Sequence, residues 1–111
     1  MRSIIFLLFA TVSCFTIAGT GSGKIINIYA HEKGDGTGVI FFETENNTNK
    51  AACSANGGKE WAFRVDTDQG KAMYSLLLAA ASTGRNITVN GKGDCDDWGD
   101  RERPKYIRVS Y

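Results

Sequence analysis

Few side chains in this sequence could carry out acid–base or nucleophilic catalysis. The chain of 111 residues contains one histidine, His31, and three cysteines. No histidine pair exists for general acid–base work, and no Cys-His set can form if Cys53 and Cys95 are bridged. Glu43 and Glu45 project to the same face of a predicted strand, which is typical of a solvated surface. We therefore predict a protein that binds a ligand and is not an enzyme.

An acidic segment near the C-terminus raises a second kind of chemistry, the binding of calcium. Its carboxylates are Asp94, Asp96, Asp97, Asp100 and Glu102. Carboxylate oxygens are ligands that Ca²⁺ prefers, but an EF-hand loop that began at Asp94 would place Trp98 at its fifth position. Ion pairs with neighbouring cations would satisfy the same carboxylates. Those cations are Lys92, Arg101, Arg103 and Lys105. We predict a charged, disulfide-anchored surface loop without a metal, and a calcium site is the alternative.

Aromatic residues indicate a binding role. The sequence has two tryptophans and four tyrosines, whose flat apolar faces suit the shallow recognition of sugars. Trp61 shares a strand period with Phe63 and is predicted to lie in the core. Trp98 stands in a loop rich in Gly and Asp beside Cys95, so it is either exposed or packed over a disulfide. Tyr29 and Trp98 are candidate sugar-binding residues.

Composition excludes several classes of partner. The formal net charge is +1, from 13 basic and 12 acidic residues, and no basic run occurs. Binding to nucleic acid or to a membrane surface is therefore not expected. Hydrophobic residues make up 42% of the chain, which is enough for a packed core and disfavours intrinsic disorder. At this length we expect one small domain.

The N-terminal segment has the pattern of a cleaved signal peptide. A positive start at Arg2 precedes an apolar run over residues 4–17, and Thr16-Ile17-Ala18 is a small-x-small site before Gly19. We predict a signal peptide over residues 1–18 and a secreted or periplasmic chain that is not inserted in a membrane. A retained anchor and a lipoprotein modified at Cys14 are the alternatives.

Removal of that segment leaves Cys53 and Cys95 as the two cysteines of the mature chain. In an oxidising compartment, such a pair most simply forms one disulfide. The alternative is two separately buried thiols. No cofactor is predicted.

The predicted elements follow the order strand, strand, strand, helix, strand, strand. Strands are expected at 24–31, at 39–45, within 51–65, at 86–90 and at 105–111, and residues 19–23 have the composition of a flexible leader. This mainly β order with one helix (α+β) is that of a five-stranded OB-type barrel. We predict a single OB-like domain over residues 19–111, with a split sheet covered by one helix as the alternative.

The helix is predicted over residues 70–83, with a cap at Asp66 or Thr67 and an end at Gly84. Its apolar residues fall into two adjoining stripes, so we expect more than one helix face to be buried. The stripes are Met73, Leu77, Ala80 and Tyr74, Leu78, Ala81, and Leu76 widens them further.

Three parts of the chain, taken together, resemble a known family. They are Ala52-Cys53-Ser54, Trp61-Ala62-Phe63 and the segment GKAMYSLLLAAASTGRNITV. In this order they resemble the B subunits of the subtilase cytotoxin and typhoid toxin type, which are secreted OB-fold proteins. The segment from Gly93 to Asp100 is more similar to a group of short exported bacterial proteins of unassigned function.

The resemblance implies a ring of five subunits that binds sialylated cell-surface glycans and carries a catalytic A subunit. It also implies a glycan ligand at a serine near the first strand, which here is Ser22. The candidate glycan-binding residues are therefore Ser22, Tyr29, Glu43 and Trp98. The alternative function is that of a stand-alone periplasmic or extracellular domain that acts through a protein partner or inhibits an enzyme.

Overall fold

A five-stranded antiparallel sheet and one α-helix form the fold in a computed structural model, which describes Ile5, residues 17–48 and residues 50–111. The predicted signal peptide lies almost wholly outside the described residues. The elements are β1 (Thr20–Glu32), β2 (Gly38–Thr48), a 3-10 turn (Ala52–Ser54), β3 (Trp61–Arg64), α1 (Asp68–Thr83), β4 (Ile87–Gly91) and β5 (Pro104–Val109). The predicted mainly β class with one helix, and the predicted order of elements, are confirmed.

The strands lie in the order β3-β2-β1-β4-β5. Strand β1 is shared, because its first residues pair with both β4 and the end of β2, whereas its later residues pair with β2 alone. The register of β1 shifts on both sides of Ile25. Gly23 lies just before Ile25 with φ +100°, a conformation that side chains other than glycine's rarely allow.

The sheet does not close into a barrel. Strands β3 and β5 are its two edges, and a single parallel bridge joins Trp61 to Glu102, two residues before β5. The Ala62 N–H donates to the Glu102 carbonyl at 3.2 Å. The described residues therefore form an open five-stranded sheet with one helix, and the predicted OB-type barrel is not confirmed.

Two local predictions are wrong. Residues 20–23 belong to β1 and are not a flexible leader. Glycine at position 21 lets the backbone of β1 lie close to β2, since a Cβ on Gly21 would be only 2.8 Å from Thr44 Oγ1. Residues before Trp61 form a 3-10 turn instead of a strand. There the Ser54 hydroxyl donates to the Ala51 carbonyl at 2.8 Å, and a cross-link at Cys53 holds the turn.

The helix begins and ends as its sequence predicts. The side chain of Thr67 accepts a hydrogen bond from the Gly70 N–H at 2.9 Å, and Gly84 ends the helix in the left-handed region at φ 65°. Only one stripe of the helix is buried in the single chain. Leu76 and Leu78 are 40% and 43% exposed, so the prediction that more than one face is buried is wrong for the chain alone.

The core lies between α1 and the inner face of the sheet. It is built from alternate residues of the strands and from every third or fourth residue of the helix. Its buried members are Ile40, Phe42, Trp61, Phe63, Met73, Leu77, Ala80, Ile87, Val89 and Ile107. The prediction of Trp61 as a core residue is confirmed. Among the described residues, no helix is long and apolar enough to cross a membrane.

Candidate aromatic binding site

Phe41 is the centre of a second aromatic cluster, on the sheet face opposite the core. Neighbouring side chains along a strand point to opposite faces, so Phe42 enters the core while Phe41 packs in a separate cluster with Val39 and Ala62. Phe41 is only 2% exposed. A buried phenylalanine on this outer face shows that other side chains cover it.

Tyr29 and Trp98 cover Phe41 from two directions. Tyr29, its register partner on β1, stacks on it with ring centroids 4.9 Å apart and an interplanar angle of 4°. Trp98 meets it edge-on at 4.9 Å, and His31 lies 5.0 Å from Trp98. Tyr29 is 43% exposed and Trp98 is half-buried. The three outer rings therefore form a partly solvent-facing aromatic surface over a buried ring, which we call the aromatic site (Tyr29, His31, Phe41 and Trp98).

The loop of residues 92–103, which we call the disulfide loop, positions Trp98. Its predicted disulfide is confirmed: Cys53 and Cys95 are bonded, with their Cα atoms 6.1 Å apart. Asp97 in the same loop accepts from the Arg64 N–H of β3 at 3.0 Å. The Arg101 N–H then donates to the Trp98 carbonyl at 3.0 Å. Trp98 is thus held in a tight turn between a covalent link and a second residue of the loop.

Polar groups lie beside the aromatic site. The Tyr29 hydroxyl donates to the Glu60 carboxylate, and Glu60 pairs with Arg101 at 3.6 Å. Arg101 also pairs with Asp100 at 2.7 Å, and its guanidinium carbon lies 5.8 Å from the Phe41 ring centre. Burial, followed by the hydrogen bond and charge of Glu60, raises the pKa of Tyr29 to about 12. Its hydroxyl therefore stays protonated and can donate at neutral pH.

The Arg101 side chain is 19% exposed beside the aromatic site. Its Nε atom is buried and has no hydrogen-bond partner within the described residues. A buried donor without a partner is costly, and because this Nε is enclosed it is not itself a contact point for a ligand. Aromatic faces beside a hydroxyl, a carboxylate and a guanidinium can stack on a sugar ring and bind its hydroxyl or carboxylate groups.

The structure brings some of the sequence-predicted site residues together and leaves one apart. Tyr29 and Trp98 meet on Phe41. Glu43 lies two residues from Phe41 on the same strand face, where its carboxylate accepts from the Asn27 side chain at 3.3 Å. Ser22 is exposed and pairs with Asn46, five residues along β2 from Phe41, or about 17 Å at the usual rise per residue.

Four residues at or beside the aromatic site were not predicted from the sequence to bind a ligand: His31, Phe41, Glu60 and Arg101. Alternation along β2 could have shown that Phe41 and Phe42 point to opposite faces, but not that a distant loop covers Phe41. No sequence signal links Glu60 to Tyr29 or to Arg101. Their contact depends on how the disulfide loop folds back over β2 and β3.

The aspartates of the disulfide loop form ion pairs with arginine side chains. Asp94 accepts two hydrogen bonds from Arg103, both at 2.9 Å, and this interaction lowers the pKa of Asp94. Arg103 also lies 3.3 Å from Asp96 and 3.8 Å from Asp97. Within residues 17–48 and 50–111, no three His, Cys, Asp or Glu side chains converge to hold a metal. The geometry is that of a charged surface loop.

Glu102 differs from the other acidic residues of the segment, because it is a buried structural residue. It is 0% exposed, and its carboxylate accepts from the backbone N–H groups of Gly19, Ala51 and Gly93 at 2.6–3.3 Å. The prediction that this carboxylate belongs to a solvated loop is wrong. The reason is that the chain on three sides of it presents N–H groups that need an acceptor.

A cavity of about 220 Å³ lies apart from the aromatic site, between the start of α1 and the disulfide loop. Its lining includes the apolar Phe63 and Met73 and the charged Arg64, Arg103 and Asp97. Both arginines pair with neighbouring aspartates. None of the lining residues belongs to the aromatic site.

Comparison of the chain with protein-family models, with curated proteins and with solved structures gives no match. The function of the aromatic site therefore has to be argued from its own geometry.

Proposed function

We propose that this protein is a secreted carbohydrate-binding module and that its sugar site is the aromatic site with Glu60 and Arg101. The observation that carries the proposal is the meeting of Tyr29 and Trp98 on the buried ring of Phe41. Rings fixed from beneath lose little side-chain freedom on binding, so they can serve as a preformed stacking surface. The residue types of both side chains also suit sugar recognition.

Arg101 suggests the class of sugar. A guanidinium binds carboxylates through charge-assisted hydrogen bonds, and the partly exposed Arg101 side chain lies beside the aromatic rings. Sialic acids carry a carboxylate on a sugar ring, so one ligand would use both the rings and the cation. Glu60 and Asp100 pair with the two terminal nitrogens of Arg101, so a ligand carboxylate would share the guanidinium with them.

We also propose the assembly that the family resemblance implies, a homopentamer with an OB-type arrangement of its strands. The bridge between Trp61 and Glu102 is consistent with an incipient contact between β3 and β5. The exposed leucines of α1, Leu76 and Leu78, flank the buried Leu77, and their apolar side chains are available for packing against a second copy. In such a ring the helix contacts neighbours while the aromatic site stays free on the other sheet face. A catalytic A subunit would be the partner of that ring.

A glycan array tests this function. The exported, oxidised protein is applied at several concentrations, with a Ser22→Ala variant and a Trp98→Ala variant beside it. We expect binding to sialylated glycans that Trp98→Ala abolishes and Ser22→Ala preserves. Loss of binding with Ser22→Ala alone would move the site to the start of β1. Absence of binding to any glycan would favour the alternative, a domain that acts through a protein partner or inhibits an enzyme.

A further inference from the structure

Glu102 holds the backbone of Gly19 inside the protein. The Gly19 nitrogen lies 3.3 Å from Oε1 and 3.0 Å from Oε2 of Glu102. The carbonyl of Gly19 accepts from the Gly91 N–H at 2.8 Å. Gly19 is buried, whereas Ala18 before it is exposed. The chain therefore enters the protein at this one peptide bond.

The carboxylate of Glu102 lacks a full positive charge as its partner. Among the described side chains, Glu102 forms no ion pair with Lys, Arg or His. Lys50 acts on it at longer range, but the Lys50 ammonium donates to the Glu60 carbonyl at 2.7 Å and lies 4.0 Å from the Trp61 ring centre. A buried carboxylate that has no cation within ion-pair distance is costly.

Only glycine fits at position 19. A Cβ there would lie 2.8 Å from Glu102 Oε1 and 2.8 Å from the Lys50 Cα atom, closer than such atoms approach in proteins. Gly19 is also the residue that follows the small-x-small site Thr16-Ile17-Ala18. The position at which the sequence predicts cleavage and the position that faces the buried carboxylate are therefore the same.

We propose that hydrolysis of the Ala18–Gly19 bond creates a buried ion pair between the new α-ammonium group of Gly19 and the carboxylate of Glu102. A signal peptidase supplies the catalysis and water is the second reactant. The oxygen of water bonds to the Ala18 carbonyl carbon as the C–N bond breaks, and Ala18 leaves as a carboxylate. Both protons of the water pass to the freed nitrogen of Gly19, which becomes an ammonium group. Two of its N–H bonds replace one amide N–H in front of Oε1 and Oε2, so the precursor's hydrogen bond becomes a charged pair.

The burial of Gly19 sets the order of events. A protease cannot reach a bond whose second residue is enclosed by Glu102, Lys50 and Gly91, so cleavage precedes the closure of the fold. Processing then completes the protein, because the charge that Glu102 lacks is generated only by the cut. The precursor is the less stable form and the processed chain is the more stable one.

The test compares the processed protein, which begins at Gly19, with a form that retains Ile17 and Ala18. Both are purified with the disulfide formed, and their urea unfolding is measured at pH 6. We expect the unfolding equilibrium constant of the processed form to be at least tenfold smaller. Mass spectrometry of protein exported to the periplasm is expected to show Gly19 as its first residue. Equal unfolding of the two forms, or a different first residue, would overturn the proposal.

Two variants separate this ion pair from other effects of the extension. Glu102→Gln removes the acceptor charge and is expected to abolish the difference between the two forms. Lys50→Met keeps Glu102 and is expected to preserve it. A difference that persists in Glu102→Gln would contradict the proposal. If Glu102→Gln does not fold, ¹⁵N NMR of the Gly19 α-amino group in the unaltered processed form decides instead, since an unshifted pKa would show that no ion pair exists.

The pH dependence has a definite sign. An opposite charge at hydrogen-bonding distance raises the pKa of an ammonium group above its unfolded value, which is about 8 for an α-amino group. The extra stability is therefore present below pH ~8 and is lost as the pH rises through the folded pKa. The charged groups that act on the neighbouring Lys50 are Glu102, Arg101, Glu60 and Glu43. The new ammonium group also shifts the titration of Lys50, so the pH dependence of the difference is compared in Lys50→Met as well.

Discussion

Trp98 lies edge-on against Phe41, with an angle of 77° between the two rings. Phe41 belongs to β2, and Trp98 belongs to the disulfide loop that follows β4. This contact attaches the loop to the outer face of the sheet, which the core on the other side does not reach. The candidate binding surface and the anchoring of the disulfide loop therefore depend on the same ring.

Loss of the disulfide is expected to destabilise both the fold and the site. The bond between Cys53 and Cys95 spans 42 positions, and in the chain-entropy model a loop of that size contributes about 3–4 kcal/mol. The double variant Cys53→Ser with Cys95→Ser should lose this amount in urea unfolding. Reduction of the disulfide in the unaltered protein should cause the same loss of unfolding free energy. The same reducing agent should not change the stability of the double variant. An unaltered unfolding midpoint after reduction would contradict the anchoring role.

Gly91 is expected to be irreplaceable. A Cβ at this position would lie 1.6 Å from Oε2 of Glu102 and 3.0 Å from the Trp61 ring, and the carboxylate is held in place by three backbone N–H groups. Gly91→Ala should therefore cost about 3 kcal/mol or more of unfolding free energy. Gly99→Ala is the matched control, because nothing lies within 4 Å of its added Cβ. Similar stabilities of the two variants would show that Glu102 moves freely.

Lys50 is expected to make stability rise with pH in alkaline solution. Burial lowers its pKa from 10.5 to about 8. Between these values Lys50 binds more protons in the unfolded chain than in the folded one, so its own contribution to the free energy of unfolding increases from pH ~8 to pH ~10.5. Urea titrations of the processed form measure how much more stable Lys50→Met is than the unaltered chain. This difference in the free energy of unfolding should be larger at pH 7 than at pH 10. A constant difference across this range would show that Lys50 is not desolvated.

The exposed face of α1 is expected to hold the proposed ring together. Leu76→Asp places a charge on that face and should convert a pentamer into monomers in sedimentation velocity. Ile26→Asp is the control, since Ile26 is also exposed and apolar but lies on β1. A monomeric mass of the unaltered protein at micromolar concentration would contradict the ring and leave the sugar site unaffected.

Sequence patterns were sufficient where a local rule decides the structure. The Thr67 cap, the Gly84 end and the core stripe of α1 follow from residues within one or two turns of the helix. The role of Gly19 could not be predicted this way. A run of small residues indicates a flexible segment unless the residue that packs closely against it is known. That partner, Glu102, is 83 positions away.

The aromatic site shows the same division. The residue types of Tyr29 and Trp98 are enough to propose them as sugar-binding residues. The disulfide between Cys53 and Cys95 is predicted because the signal peptide indicates export to an oxidising compartment. The ring that unites them, Phe41, depends on a loop folding back over the sheet, which is a long-range contact without a local signal. Arg101 and Glu60 reach the site through the same loop.

Isothermal titration calorimetry with a sialylated oligosaccharide tests the central claim most directly. We expect the unaltered protein to bind, and Trp98→Ala to weaken binding at least tenfold while its far-ultraviolet circular dichroism is unchanged. Tyr111→Ala is the matched control, because Tyr111 is 90% exposed and lies outside the aromatic site; it should bind as the unaltered protein does. Equal affinities of the Trp98→Ala and unaltered proteins would contradict the assignment of the sugar site to the surface over Phe41.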